Sequence, residues 1–315
     1  MSRNEFLWVE KYRPRKIDDC ILPETTKNTF NEFLNTGQIP NLLLFGTAGI
    51  GKTTVAKALC EQLGADYIVI NGSDEGRAID TIRNKVKDFA STLSLSSDSK
   101  HKVVIVDEAD NTTSDVQLAL RANIETFYGN CRFIFTCNYK NKLIEPLHSR
   151  CAVVDFSIPG KEKKLLAGTF FDRLRFILEE EGVQYDPKVL PQIILKFFPD
   201  WRRTLNECQR YAVGGVIDSG ILSSLSDVRF NELTQALKSK QYTTVKKWVS
   251  SNLDNEPSHI FRSIYDNLYQ CLEPRTIPQA VLIIGKYQYQ SAFVADQEIN
   301  LLAALTEMMV ECEFK

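Results

Sequence analysis

The stretch that most limits what this chain can fold into is Gly46-Thr47-Ala48-Gly49-Ile50-Gly51-Lys52-Thr53. It fits G-x-x-x-x-G-K-[ST], a loop that works only between a strand and a helix. Both are predicted here. Leu42 to Phe45 is a short apolar run, and Thr53 to Leu63 sets Val55, Leu59 and Leu63 on one helical face. The glycines let the backbone turn tightly enough for several N–H groups to face a polyphosphate, and the helix after the loop adds its positive end. Lys52 is expected at the β- and γ-phosphates and Thr53 at a Mg²⁺ ion. An ordinary glycine-rich turn would not need Lys-Thr at this offset.

A second stretch strengthens that reading. Val103-Val104-Ile105-Val106 suits a parallel strand buried on both faces, and Asp107-Glu108-Ala109-Asp110 follows it. Carboxylates at a strand's C-terminal end stand where α/β sheets bind ligands. Asp107 is the natural partner of Mg²⁺, and Glu108 can orient or deprotonate an attacking water. An acidic strand end alone says little; with the phosphate loop some fifty residues earlier it says much.

The remaining strands and helices fall around these two. Tyr67 to Ile70 reads as a strand ending in the turn Asn71-Gly72-Ser73-Asp74, Phe133 to Cys137 as another ending at Asn138, and Ala152 to Phe156 as a fifth. Helices are predicted from Glu24 to Leu34, Ile79 to Ala90 and Val116 to Phe127. Asn138 could hold the γ-phosphate or the catalytic water, or simply end its strand; spacing does not choose. Trp8-Val9-Glu10-Lys11-Tyr12-Arg13-Pro14 could flank a nucleotide base or pin an N-terminal arm to the core. Arg77, Arg83 and Lys87 form a basic row on the Ile79–Ala90 helix and just before it, but Asp80 and Asp88 dilute it. By itself the row reads as a solvated helix face.

Pro159-Gly160 marks a boundary, beyond which the chain reads as almost wholly helical. Lys161 to Glu181 and Pro187 to Phe198 are helical, and Asp200 is placed to cap a helix through Trp201-Arg202-Arg203. From about residue 222, four or five helices divide near Asn255-Glu256-Pro257, Pro274, Pro278 and Gly285.

Composition excludes some classes. A chain of 315 residues suggests two or three domains, and 43% hydrophobic with 25% charged residues is ordinary for a globular protein. The net charge of −2 selects no partner, so any nucleic-acid surface must be a local patch. Cys20, Cys60, Cys131, Cys137, Cys151, Cys208, Cys271 and Cys312 form no C-x-x-C pair. They read as reduced thiols of a cytosolic protein without structural zinc. No apolar run approaches membrane-spanning length and no signal-peptide core is seen, so a cytoplasmic protein without membrane partners is expected.

These motifs together resemble the sliding-clamp-loader ATPases of the AAA+ superfamily. The carrying residues are Val9 to Pro14, the phosphate loop, Asn71 to Asp74, Asp107 to Asp110, Gln117 to Arg121, Cys137-Asn138 and Ser149-Arg150-Cys151. Through the first 210 residues their order and spacing are similar to replication factor C small subunits. Asp19 to Pro23, Phe198-Pro199-Asp200, Asp218 to Leu222 and the end Glu311 to Lys315 make the resemblance strongest to the large clamp-loader subunits of T-even-like phages.

The resemblance implies a RecA-like α/β core with a five-stranded parallel sheet over 1–158, a helical lid over 159–222 and an all-α collar over 223–315. It implies ATP and Mg²⁺ as cofactors. Lys52, Glu108, Asn138 and Arg202 would be catalytic, with Asn138 and Arg202 as sensors of the nucleotide. Arg150 would be an arginine finger acting on a neighbouring subunit's ATP. Val9, Tyr12, Arg13, Ile21 and Thr54 would join Gly46, Thr47, Ala48, Gly49, Ile50, Gly51, Lys52 and Thr53 around the nucleotide, and Thr53 and Asp107 would hold the metal.

It also turns Arg77, Arg83 and Lys87 into expected contacts with the primer–template backbone. The run Asp74-Glu75-Gly76-Arg77-Ala78-Ile79-Asp80 departs from the family's acidic pair before Arg-Gly-Ile-Asp, so Arg77's register differs. Expected partners are further copies of the chain, a distinct small subunit completing a five-membered ring, a ring-shaped clamp and primer–template DNA. Family position points to Val116–Phe127 and the loop before it for the clamp. The alternative is another AAA+ or helicase-type nucleic-acid-dependent ATPase. A helicase of that type needs a second RecA-like core, and the helical C-terminal half offers none.

Overall fold

The computed structural model describes residues 6–73, 79–92, 102–218, 220–221, 228–252, 257–291 and 293–315, without the side chains of 79–83, 228–231 and 257–259. The chain divides into two compact units, Met1–Leu222 and Ser223–Lys315.

In the first unit the elements follow in order: α1 (Trp8–Lys11), α2 (Glu24–Thr36), β1 (Leu42–Phe45), α3 (Lys52–Gln62), β2 (Tyr67–Asn71), α4 (Ile79–Ser91) and β3 (Lys102–Asp107). Then come α5 (Ser114–Thr126), β4 (Cys131–Cys137), α6 (Glu145–His148), β5 (Ala152–Asp155), α7 (Lys163–Glu180), β6 (Gln184–Tyr185), α8 (Leu190–Phe197), α9 (Trp201–Ala212) and β7 (Val216–Ile217). β1 to β5 form one parallel sheet in the order β2-β3-β4-β1-β5.

The sequence explains this order. Val103, Val104, Ile105 and Val106 have no exposed surface, because β3 is an inner strand covered on both faces. The two faces carry separate cores. Phe30, Leu42, Leu44, Leu59, Val103, Ile105, Ile134 and Phe156 pack on one, and Leu43, Val86, Val104, Val106, Leu120, Phe133 and Phe135 on the other. The alternation along β1 and β3 follows the period-2 pleat. Truncating Leu44 to Ala would cost about 2–5 kcal/mol.

Register then fixes the site. Parallel pairing places Phe45 beside Cys137, Asn71 beside Asp107 and Val106 beside Phe135. The phosphate loop therefore leaves β1 next to Asn138, Ser73 follows β2 next to Glu108, and Thr136 lies next to Asp107. All of these are at the C-terminal edge of the sheet.

The region after Pro159 is almost wholly helical, with one short addition that the sequence does not predict: β6 and β7 pair in parallel, Gln184 with Val216 and Tyr185 with Ile217. Two-residue strands are too short to leave a periodic signal. Several element ends also differ by a residue or more; the helix expected from Pro187 begins at Leu190 and ends at Phe197, before the Phe198–Pro199 peptide.

The second unit is helical: α10 (Val228–Lys238), α11 (Tyr242–Ser250), α12 (Pro257–Cys271), α13 (Ile277–Gln290) and α14 (Gln297–Glu311). Phe261, Ile264, Leu268, Ile283, Leu301, Leu305 and Met308 form its core. Gly285 does not divide helices as expected but sits inside α13. A glycine there costs about 1 kcal/mol against alanine, which burial of Ile283 and Ile284 offsets. Among the described residues no helix is long and apolar enough to cross a membrane.

Candidate active site

Lys52 is the first residue of α3 and its side chain is buried. The turn before it needs Gly51, whose φ of 104° a side chain would strain. The Lys52 ammonium donates to the carbonyls of Gly46 (2.7 Å) and Thr47 (2.8 Å) and to Asn138 Oδ1 (2.9 Å). These partners are neutral. Burial pulls the Lys52 pKa below its ordinary value, while Asp107 and Asp110 push the other way and the nearby Arg202 charge lowers it further. A buried cation folded back on its own loop is suited to an arriving polyanion.

The acids are arranged by their neighbours. Asp107 Oδ1 accepts from the hydroxyls of Thr53 (2.6 Å) and Thr136 (2.5 Å). Thr136 Oγ1 in turn accepts from the Glu108 N–H at 3.1 Å. Glu108 adopts a left-handed conformation, φ 54°. Its carboxylate accepts a hydrogen bond from Ser73 Oγ and another from Asn111 Nδ2 at 3.2 Å. Gly72 permits this approach, because a Cβ there would meet the Glu108 carbonyl at 2.3 Å. Asp110 Oδ2 accepts from the backbone N–H groups of Asn138 (3.1 Å) and Tyr139 (3.0 Å), which ties the acid segment to the end of β4.

Beside the loop lies a cavity of about 100 Å³. Val9, Tyr12, Arg13, Ile21, Gly49, Ile50, Gly51, Thr54 and Arg202, all expected at the nucleotide, line it. So do Cys20, Phe170, Arg173, Ile177 and Trp201, which the sequence does not assign to the nucleotide. Phe170 and Ile177 come from α7 and Trp201 from α9, so helices after Pro159 close the cavity. α1 is fastened to those same helices. Lys11 and Tyr12 both donate to Glu181 Oε1 at 2.6 Å, Arg173 donates to the Tyr12 carbonyl at 3.1 Å, and the Trp8 N–H donates to Gln209 at 3.0 Å.

Arg150 is directed elsewhere. Its Nε and Nη2 donate to Glu125 Oε1 at 2.9 and 2.6 Å, and it lines a shallow outer hollow with Arg121, Glu145, Pro146 and Ser149. Burial pushes the Cys20 thiol, at the cavity wall, up to about 12, which leaves it unreactive. Of the basic row, Lys87 is exposed on α4, Arg83 lies among the residues without described side chains, and Arg77 lies outside the described residues.

The donor sets fit the expected ligands. Lys52, Asn138 and the loop suit a polyphosphate. Thr53 and Asp107 offer one hydroxyl and one carboxylate to a divalent cation, and no group of three or more metal-ligating side chains exists among the described residues. Such a pair suits Mg²⁺ held mostly by phosphate oxygens and water. Fold and site define the class as a phosphate-loop ATPase with a helical lid.

Comparison with known proteins narrows this. Residues 42–157 match the ATPase family associated with various cellular activities (AAA), and residues 163–223 match the sliding-clamp-loader large subunit, AAA+ ATPase lid domain. The chain is 33% identical over 321 residues to the sliding-clamp-loader large subunit of Enterobacteria phage T4, covering 100% of this chain and 99% of that one. It is 34% identical over 323 residues to a replication factor C small subunit of Thermofilum pendens, covering 97% of each. A solved RuvB point variant of Thermotoga maritima shares the fold with a TM-score of 0.53 at 18% identity, over 71% of this chain and 78% of that one. The chain belongs to the sliding-clamp-loader family of AAA+ ATPases.

Proposed function

We propose that this chain is an ATP-driven subunit that opens the ring-shaped clamp of a DNA polymerase and sets it on primer–template DNA. The observation that carries this is a full set of ATP-handling groups in one unit, with Arg150 turned away from it. In this reading residues 1–158 are the ATPase core, 159–222 the lid and 223–315 a collar. Copies of the chain join a distinct small subunit in a five-membered ring in the host cytoplasm, so that each Arg150 meets a neighbour's nucleotide.

The residues divide the work. ATP enters the cavity with its base against Val9, Tyr12, Arg13 and Ile21, and its phosphates against Gly46 to Thr53 and the flanking Thr54. Lys52 exchanges the Gly46 and Thr47 carbonyls for phosphate oxygens, and Asn138 keeps its ammonium oriented. Thr53 and Asp107 would hold Mg²⁺, which supplies charge neutralisation at the β- and γ-phosphates. Glu108, once released by Ser73 and Asn111, takes a proton from the attacking water. Arg202 from the lid and Arg150 from the neighbour stabilise the charge that builds on the transferred phosphoryl group. Arg77, Arg83 and Lys87 track the DNA backbone. Ser73 follows the end of β2 and stands four positions before Arg77, which supports DNA as the signal that frees Glu108.

The test is steady-state ATPase of the chain with its small subunit, with and without clamp and primed DNA. Strong stimulation is expected. Activity indifferent to both would overturn the loader reading.

A further inference from the structure

The geometry points to Asp200 as a phosphate-sensing residue whose carboxylate, set against Gly49 of the phosphate loop, is repelled by an arriving polyphosphate and carries the start of α9 with it. This rests on the ATP-binding reading above and assigns the lid a repulsive partner to Arg202.

Asp200 caps α9. Its Oδ1 accepts from the Arg203 N–H at 2.9 Å, and its carbonyl accepts from the Thr204 N–H and hydroxyl at 3.2 and 2.9 Å. The same carboxylate stands against Gly49. A Cβ built on Gly49 would lie 1.8 Å from Oδ1, 2.4 Å from Cγ and 3.0 Å from Oδ2. A side chain at Gly49 would push the Asp200 carboxylate aside, and the Gly49 φ of +71° favours glycine there. A cap alone does not require the carboxylate to touch the phosphate loop.

The charge is not neutralised locally. Among the described residues Asp200 is in no ion pair. Its neighbours are directed elsewhere, Arg203 over the Phe197 ring at 4.8 Å and Arg202 into the cavity. A carboxylate touching the loop lies well within the screening length of about 8 Å at physiological salt, so it and a bound polyphosphate repel each other. Asp200 is anchored to the first turn of α9, and moving it moves Trp201 and Arg202, which line the cavity. Arg202 is drawn toward the phosphates while Asp200, two residues earlier, is driven off. Opposite charges at one helix end convert phosphate charge into a turning force on the lid. The force is larger for a triphosphate than for a diphosphate.

Asp200→Asn and Asp200→Ser both keep a capping side chain and remove the charge. The measurement is equilibrium binding of fluorescent ATP and ADP analogues to the full chain at two salt concentrations. Both variants are expected to bind the ATP analogue about three- to tenfold tighter than wild type. The gain should be smaller for the ADP analogue and should shrink at high salt. Any other pattern, including unchanged or weaker binding in either variant, overturns the proposal, whereas a wild-type chain that binds no ATP analogue overturns the ATPase reading itself.

Discussion

Two arginines are expected at the same kind of phosphate, and the chain sends them to different places. Arg202 lines the cavity beside the phosphate loop, whereas Arg150 is held by Glu125 at a separate outer hollow. The difference follows from their elements. Arg202 belongs to the first turn of α9, which closes the cavity. Arg150 follows α6, and its guanidinium is drawn to Glu125 near the C-terminal end of α5. A single chain thus gathers Arg202 to its own cavity and holds Arg150, half-buried, against Glu125 outside it. Under the proposed function, hydrolysis would then depend on assembly.

The comparison can be broken first at Lys52. Lys52→Ala removes the buried cation of the loop, so nucleotide binding and ATPase should fall by about a hundredfold or more; weak loss would mean the phosphates sit elsewhere. Arg150→Ala should lower kcat of the assembled ring by about a thousandfold and leave nucleotide binding by the isolated chain unchanged. Arg202→Ala should instead weaken binding by the isolated chain, by about tenfold. Titration with a fluorescent ATP analogue separates the two, and equal losses would erase the contrast.

A smaller effect is expected at Ser73. Ser73→Ala removes one hydrogen bond to the Glu108 carboxylate, so basal ATPase should rise severalfold and the further stimulation by DNA should shrink. A fall in basal activity would mean Ser73 helps catalysis directly.

The smallest effect concerns α1. Hydrogen bonds from Lys11 and Tyr12 hold the Glu181 carboxyl below its ordinary value of 4.5. The folded value lies under the unfolded one, so this tie contributes stability above about pH 4.5 that is lost as pH falls through the folded value. Hydrogen-exchange protection factors of the amides of Trp8 to Tyr12, corrected for intrinsic rate at each pH, should fall in that acid range, and Glu181→Gln should weaken the dependence. An unchanged profile would mean other contacts hold α1.

Much of this is legible in the residues. The phosphate loop, the apolar run before Asp107 and the strand ending at Asn138 announce themselves because each is local: a few residues with one period and one tip. What stays hidden is what register and packing join. Ser73 reaches Glu108 only because Asn71 pairs with Asp107, and Thr136 reaches Asp107 only because Val106 pairs with Phe135. Phe170, Arg173 and Ile177 enter the cavity from a helix more than a hundred residues after the loop. The tie between Arg150 and Glu125 is equally invisible in the sequence, although the spacing that suggests α5 already puts Glu125 on that helix.

The most direct test of assembly across subunits is a mixing experiment. Chains carrying Glu108→Gln keep the arginine but lack the base, and chains carrying Arg150→Ala keep the base but lack the arginine. Each is assembled alone with the small subunit, then both together, and ATPase is measured with clamp and primed DNA. If Arg150 serves a neighbour, the mixed rings recover activity that neither parent has. If the mixture shows only the sum of two inactive parents, each site is complete within its own chain, and Arg150 does not act across the subunit boundary.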